Sequence, residues 1–227
     1  MKKNYDAVIV GGGMAGLTLA CLLGRGDVAV VCLDQTASHN TQNDLRTTAI
    51  SYGSRQILEK AGIWQNLRSP ACPIEKIDIL DGDSPVLLDF LSVEAAGKSF
   101  GWIVENADLR AAMMKILKSC KAVVHVAPAK VKDFRAGDKN ISTVLEDGAA
   151  FTSALVIGAD GRHSFTREWM DVPVREWNYN QRAIICTAIH EHPHHHVAVE
   201  HFWPQGPFAI LPMADDAQGR HRSAVVF

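Results

Sequence analysis

Asp6-Ala7-Val8-Ile9-Val10-Gly11-Gly12-Gly13-Met14-Ala15-Gly16-Leu17 is the stretch that decides the fold. Asp6 to Val10 predicts a short buried strand. Gly11, Gly13 and Gly16 form a G-x-G-x-x-G, which is weak alone because glycine is common. Met14 to Gly24 predicts a helix, with apolar surface from Leu17, Leu19, Ala20, Leu22 and Leu23. Val28 to Leu33 is a near-continuous apolar run, as expected of a parallel strand buried on both faces. Strand, helix and strand make a βαβ unit with a right-handed crossover, and that context lifts the glycine motif above coincidence.

The physical demands of the motif follow. Gly11 allows a tight turn, Gly13 lets a pyrophosphate approach the backbone, and Gly16 lets the helix lie close to the strand. Free N–H groups and the helix dipole then face the phosphates. Asp34 closes the second strand, where a carboxylate can accept from both ribose hydroxyls of an adenosine. It would also repel a 2′-phosphate, so the site suits FAD or NAD better than NADP. The bland alternative is a glycine turn in an ordinary α/β protein, with Asp34 there by chance.

Working outward, Gln35 to Asp44 is polar and aperiodic and predicts a loop. Ser51 to Ala61 predicts a helix with Ile57, Leu58 and Ala61 buried and Gly62 at its end. Ile74 to Leu80 and Pro85 to Phe90 predict strands around Asp81-Gly82-Asp83-Ser84. Asn106 reads as the N-cap of a helix to Ser119, with Leu109, Met113, Ile116 and Leu117 on one stripe. Ala122 to Val126 predicts a strand. Ile141 to Glu146 and Phe151 to Ile157 predict a hairpin around Asp147-Gly148. From Arg182 onward the pattern is β-rich, with candidate strands at Ala183 to Ile189, Val197 to Trp203, Phe208 to Pro212 and Ser223 to Phe227.

Composition narrows the class. Of 227 residues, 47% are hydrophobic and 21% charged, which excludes a disordered, collagenous or coiled-coil chain. The formal net charge of −2 gives no electrostatic reason to expect nucleic acid or an anionic membrane as main partner. Cys21, Cys32, Cys72, Cys120 and Cys186 are scattered, without metal-type spacing, and read as reduced thiols. Lys2 and Lys3 before an apolar stretch resemble a signal peptide, but Asp6 and Gly11 to Gly13 interrupt it. No segment has the uninterrupted apolar length of a spanning helix. The expectation is a soluble cytoplasmic protein, with peripheral contact at the inner face of the membrane left open.

Two further stretches carry chemistry. Asp44-Leu45-Arg46-Thr47-Thr48 places a guanidinium just before a helix, where it is either solvated or near a phosphate or polarised ring. Leu155-Val156-Ile157-Gly158-Ala159-Asp160-Gly161-Arg162 ends a buried strand in small residues and an acid. Asp160 can accept from a sugar hydroxyl, pair with Arg167, or cap the strand-to-helix turn. His190, His192, His194, His195, His196 and His201 cluster in sequence; Pro193 suggests a surface hairpin, and no cysteine or carboxylate completes a metal geometry, so no metal is assigned.

Together these elements resemble the flavin monooxygenases of the aromatic-hydroxylase type, in the branch of ubiquinone-biosynthesis hydroxylases acting on prenylated phenols. The resemblance runs from residue 5 to the last residue, with the motifs in order. Asp34 departs from the family's usual Glu but can still reach a ribose. The resemblance implies hydroxylation of an aromatic ring using FAD, O₂ and NADH or NADPH. It implies FAD contacts at Gly11, Gly13, Gly16, Asp34, Arg46, Asn106, Arg110 and Asp160, with no catalytic base assigned and part of the pocket wall at Pro204 to Pro212. The other readings are another flavoprotein oxidoreductase of this fold, such as a reductase or halogenase, or an inactive truncated FAD-binding fragment.

The expected fold class is α/β: a Rossmann-like FAD-binding βαβ domain interwoven with a mixed, largely antiparallel β-rich substrate subdomain, truncated at its C-terminus. Residues 1–73 and 98–170 form the FAD-binding part, and 74–97 and 171–227 a partial substrate-binding sheet. The family's later Gly-Asp motif is not found, since Gly82-Asp83 and Gly137-Asp138 fall in early turns. The last strand should therefore lack neighbours and expose an apolar edge near Ala224 to Phe227, inviting association. The expected partners are a small aromatic substrate and O₂, with peripheral membrane or biosynthetic-complex association open.

Overall fold

The computed structural model describes residues 4–37, 44–84, 87–94 and 97–227. The chain divides into two units interleaved in sequence. One comprises Met1–Asn43, Leu58–Ile63 and Arg110–Trp177; the other comprises Asp44–Ile57, Trp64–Leu109 and Asn178–Phe227.

The first unit is built on a six-stranded sheet. Its strands are β1 (Asn4–Val10), β2 (Val30–Leu33), β8 (Val123–Val126), β9 (Val131–Ala136), β10 (Ile141–Leu145) and β11 (Ala150–Gly158), in the order β8-β2-β1-β11-β10-β9. β1 lies parallel to β2 and β11, and β2 parallel to β8, while β9 and β10 are antiparallel additions. Val8, Ile9, Val30, Val31 and Cys32 are wholly buried, which is why their sequences are unbroken apolar runs rather than alternating ones. α1 (Met14–Arg25) returns the chain from β1 to β2. Gly24 lets α1 close on β8, since a Cβ there would lie 2.4 Å from Val123 Cγ2. On the β9 side, Phe134, Leu145 and Phe151 join Tyr5, Val8 and Val31 in one core. A short helix, α4 (Phe165–Trp169), follows β11.

The second unit contains two sheets. β3 (Thr47–Ser51), β7 (Gly101–Glu105) and β4 (Cys72–Ile74) form a three-stranded antiparallel sheet in the order β3-β7-β4. β5 (Lys76–Asp81), β6 (Leu88–Leu91), β12 (Ile185–His190), β13 (Val197–Trp203), β14 (Gly206–Met213) and β15 (His221–Val226) form the larger sheet, ordered β12-β15-β14-β13-β5-β6. Ile74, Ile103, Ala198, Met213 and Ala224 make the buried cluster between the sheets. Arg55 lies over the Trp102 ring at 4.6 Å, and Trp64 packs edge-on against Trp102. The remaining helices are α2 (Tyr52–Lys60) and α3 (Asn106–Ser119).

Several expectations are corrected. β3, β7 and β9 are strands the sequence reading leaves out. β9 is a sheet edge carrying Lys132, Asp133 and Arg135, so only Val131 and Phe134 are buried and its apolar signal is thin. The buried face of α2 includes Leu58, with Ala61 buried just beyond its end, while Ile57 is 48% exposed. Asn106 is the first helical residue rather than a cap, and its side chain is bonded elsewhere. The start of the predicted Pro85 to Phe90 strand lies outside the described residues. The last strand is not an edge: β15 pairs with β12 on one side and β14 on the other, so Val226 faces both Ile185 and Ala209. The histidine-rich segment is not a hairpin either, because β12 and β13 are separated in the sheet by β15 and β14.

Two outcomes check this architecture. The amides of Ala224 and Val225, inside a central strand, should exchange slowly in deuterium-exchange measurements, as an edge strand's would not. Leu17→Ala, at a fully buried position of α1, should cost about 2–5 kcal/mol in urea unfolding.

Candidate functional site

Three parallel strands of the first unit end side by side, and each delivers a predicted residue from its carboxyl end. β1 leads into Gly11, β2 into Asp34 and β11 into Asp160. Open α/β sheets bind ligands at this end of their strands. Gly11 has φ +114°, and a Cβ on it would lie 2.2 Å from the Ala159 carbonyl oxygen. A Cβ on Gly16 would come within 1.9 Å of the Gly11 oxygen. These two glycines are therefore required by backbone packing. Gly13 is different: a Cβ there meets nothing within 4 Å. It caps α1 in extended conformation without a side-chain cap bond, and the first turn closes through Leu17 N–H to Gly13 O at 2.9 Å. The start of α1 thus offers open space and a positive dipole end, which fits a bound phosphate group.

Asp34 is buried, and each of its carboxylate oxygens has a protein partner. Oδ1 accepts from Thr36 N–H at 2.9 Å and Oδ2 from Arg110 Nη2 at 2.8 Å. Arg110 Nη1 donates to the Gly12 carbonyl at 2.7 Å, so the guanidinium bridges the acid and the glycine turn. A carboxylate has about four lone-pair sites, which leaves acceptor capacity for a sugar hydroxyl. Gly12 is a site residue the sequence reading passed over. A Cβ on it would lie 2.4 Å from Asp34 Cβ, so the middle glycine makes room for the acid.

Asp160 shapes a turn. Its carboxylate accepts from the Ser164 hydroxyl and from Thr166 N–H at 2.8 Å, and Ser164 in turn caps α4 by accepting from Arg167 N–H at 3.0 Å. Arg167 does not pair with it; that guanidinium donates to the Arg162 carbonyl. Partial burial pushes the Asp160 pKa up, but the Ser164 and Thr166 hydrogen bonds outweigh it and hold the pKa below the usual carboxylate value.

Arg46 and Asn106 belong to the second unit. Asp44 accepts from Arg46 Nε at 2.8 Å and Nη2 at 2.7 Å, a two-pronged pair, and from Asn106 Nδ2 at 3.0 Å. These bonds, the Arg46 pair foremost, hold the Asp44 carboxyl well below its usual range against the opposing effect of burial. Asn106 Oδ1 accepts from Thr48 Oγ1 at 2.6 Å, and Asn106 N–H donates to Arg46 O at 2.9 Å. Asp44 and Thr48 therefore position the two predicted residues. The alternate spacing of Asp44, Arg46 and Thr48 was the available signal, since β3 begins at Thr47. α3 contributes Asn106 to this unit and Arg110 to the first.

A parallel βαβ unit with an acid at the end of its second strand defines an α/β dinucleotide-binding protein. The chain belongs to the FAD binding domain family, which matches residues 4–225. It is 41% identical to "Ubiquinone hydroxylase UbiL" of Rhodospirillum rubrum over 214 residues, covering 93% of this chain and 50% of that protein. It is 30% identical over 238 residues to the human "Ubiquinone biosynthesis monooxygenase COQ6, mitochondrial", covering 93% of this chain and 49% of the relative. The chain thus spans about half the length of the curated relatives it matches. Among solved structures, p-nitrophenol 4-monooxygenase PnpA from Pseudomonas putida superposes with a TM-score of 0.82 at 19% identity, covering 100% of this chain and 58% of that one. PqsL of P. aeruginosa, in complex with 2-aminobenzoylacetate, gives 0.80 at 21%, covering 99% and 61%. These two likenesses establish the fold.

Two predictions follow from the geometry. Arg110→Met leaves the buried Asp34 carboxylate unpaired and should cost about 3 kcal/mol in urea unfolding, with part of the loss recovered in the Asp34→Asn, Arg110→Met double variant. Because the Asp160 pKa is depressed, its contribution is complete above about pH 4 and is lost as pH falls through the folded value. Asp160→Asn should therefore lose less stability on acidification than the parent chain, read from unfolding curves across that range.

Proposed function

We propose that this chain is the FAD-holding part of a monooxygenase that hydroxylates an aromatic ring of a prenylated phenol in ubiquinone biosynthesis, with NADH or NADPH as electron donor. The observation that carries the reading is the alignment of Gly11, Asp34 and Asp160 at the ends of adjacent parallel strands, in a chain 41% identical to a ubiquinone hydroxylase across nearly its whole length. In this reading Gly11, Gly13 and Gly16 admit the pyrophosphate, and Asp34 accepts from the adenosine ribose. Arg110 holds Asp34 in place and adds positive charge beside the glycine turn. Asp160 shapes the loop that meets FAD. Arg46 and Asn106 are the further FAD contacts in this reading, and Pro204 to Pro212 form part of the wall that excludes water from the substrate. FAD, when bound, supplies the electron transfer and O₂ chemistry.

No helix among the described residues is long and apolar enough to cross a membrane. A prenylated substrate would bring the protein to the inner membrane face by peripheral contact from the cytoplasm.

The test has two parts. Titration of FAD into the chain should quench flavin fluorescence, and Gly13→Ala should weaken that binding several-fold while changing stability by less than about 0.5 kcal/mol, because its Cβ meets only the space a phosphate would occupy. Gly11→Ala should lose both, since its clash is with backbone. Turnover of a prenylated phenol with NADH or NADPH and O₂, yielding a hydroxylated ring, supports the full reading. FAD binding with no hydroxylated product favours another flavoprotein activity, and no FAD uptake overturns the assignment.

A further inference from the structure

Folding assembles a cluster in the second unit that neither sequence spacing nor family membership announces. Cys72, in β4, lies against the segment joining β12 to β13. Its Sγ is 3.4 Å from His196 Nδ1 and 4.0 Å from His194 Nε2, and one ligand atom of each residue lies within 4.8 Å of the others. A tetrahedral zinc ion bound by a thiolate and an imidazole holds its sulfur and nitrogen about 3.5 Å apart, from bond lengths of about 2.3 and 2.0 Å. The observed separations bracket that value. Cys72 is buried and both histidines are half-buried.

The cluster is held by backbone from both sides. Glu75 N–H donates to His196 O at 2.9 Å, fixing the histidine segment against the residues just after Cys72. His195 and His196 both sit in the left-handed region, at φ 50° and 59°. Two consecutive non-glycine residues there are costly, and such outliers concentrate at ligand-holding sites.

We infer that Cys72, His196 and His194 form a site for a thiophilic divalent cation of the zinc class, clamping the β3-β7-β4 sheet to the connection that leads into β13. Cys72 and His196 are the primary ligands. His194 is the adjustable one. Its Nδ1 accepts from His196 N–H at 3.0 Å, so Nε2 carries the proton and donates to Met213 O at 2.9 Å. To ligate through Nε2, His194 must move that proton to Nδ1 and give up both bonds.

Burial pushes the Cys72 thiol up to about 12, helped by Asp215 and Glu75. Ligation takes the sulfur as thiolate, so cation binding releases the thiol proton to solvent.

Cobalt(II) is the probe, because thiolate ligation gives a near-ultraviolet charge-transfer band that imidazole alone does not. The reduced chain titrated with cobalt(II) should develop that band to one equivalent, and zinc(II) should abolish it. Cys72→Ser and His196→Asn should each lose the band, while His192→Asn, in the same histidine-rich segment, should keep it. Circular dichroism confirms that each variant is folded. Cobalt binding to the parent chain without a thiolate band, or a band that survives Cys72→Ser, overturns the proposal in favour of surface histidine binding. The parent spectrum alone suffices for the first outcome, whatever the variants do.

Discussion

The close backbone approach among Gly11, Gly16 and Ala159 is the constraint on which the first unit depends. It brings the end of β1, the start of α1 and the end of β11 within contact that no side chain could share. Because β1 is central, flanked by β2 and β11, this one approach also sets where Asp34 and Asp160 emerge. Gly12 extends the constraint sideways by leaving room for Asp34. The glycines thus serve packing first, and Gly13 alone is spared that duty. A family fingerprint that treats them as equivalent hides this division.

Three acids do three jobs in the two units. Asp34 is buried and bridged to the glycine turn by Arg110, so its charge is balanced where an unpaired carboxylate would be costly. Asp160 spends its carboxylate on a hydroxyl and a backbone amide, and so acts as a turn former. Asp44 grips Arg46 with both oxygens while leaving that guanidinium largely exposed, which restricts an otherwise mobile cation to one direction. Carboxylates of the same chemical type are separated in role by what donates to them.

The βαβ start was legible because a doubly buried parallel strand leaves an unbroken apolar run, and Asp6 with Gly11 to Gly13 breaks the competing signal-peptide pattern. The Asp147-Gly148 hairpin was legible from its turn, and Gly148 adopts φ 88° as that turn requires. β9 was hidden by its edge position, and β3 by the polar Thr47, Thr48 and Ser51. Ile57 misled because a helical stripe does not say which of two flanking residues meets the core. Asn106 reads as a cap by local rules, yet Thr48 and Asp44, far away in sequence, claim its side chain. The Cys72 cluster was invisible for the same reason: its ligands come from segments more than a hundred residues apart.

That remoteness governs how the protein must assemble. β5 finds one of its partners in β13, pairing Lys76 with Val197, and β1 finds one of its partners in β11, pairing Asn4 with Thr152. β15 must slot between β12 and β14, both of which precede it. Such distant pairings carry a large loop-closure cost before any contact repays it, so contact order is high and folding is slow. On the ribosome, β1 and β5 emerge long before these distant partners. The apolar surface of β1 stays uncovered by β11 until that distant strand has been made, which makes the nascent chain a natural client for chaperones.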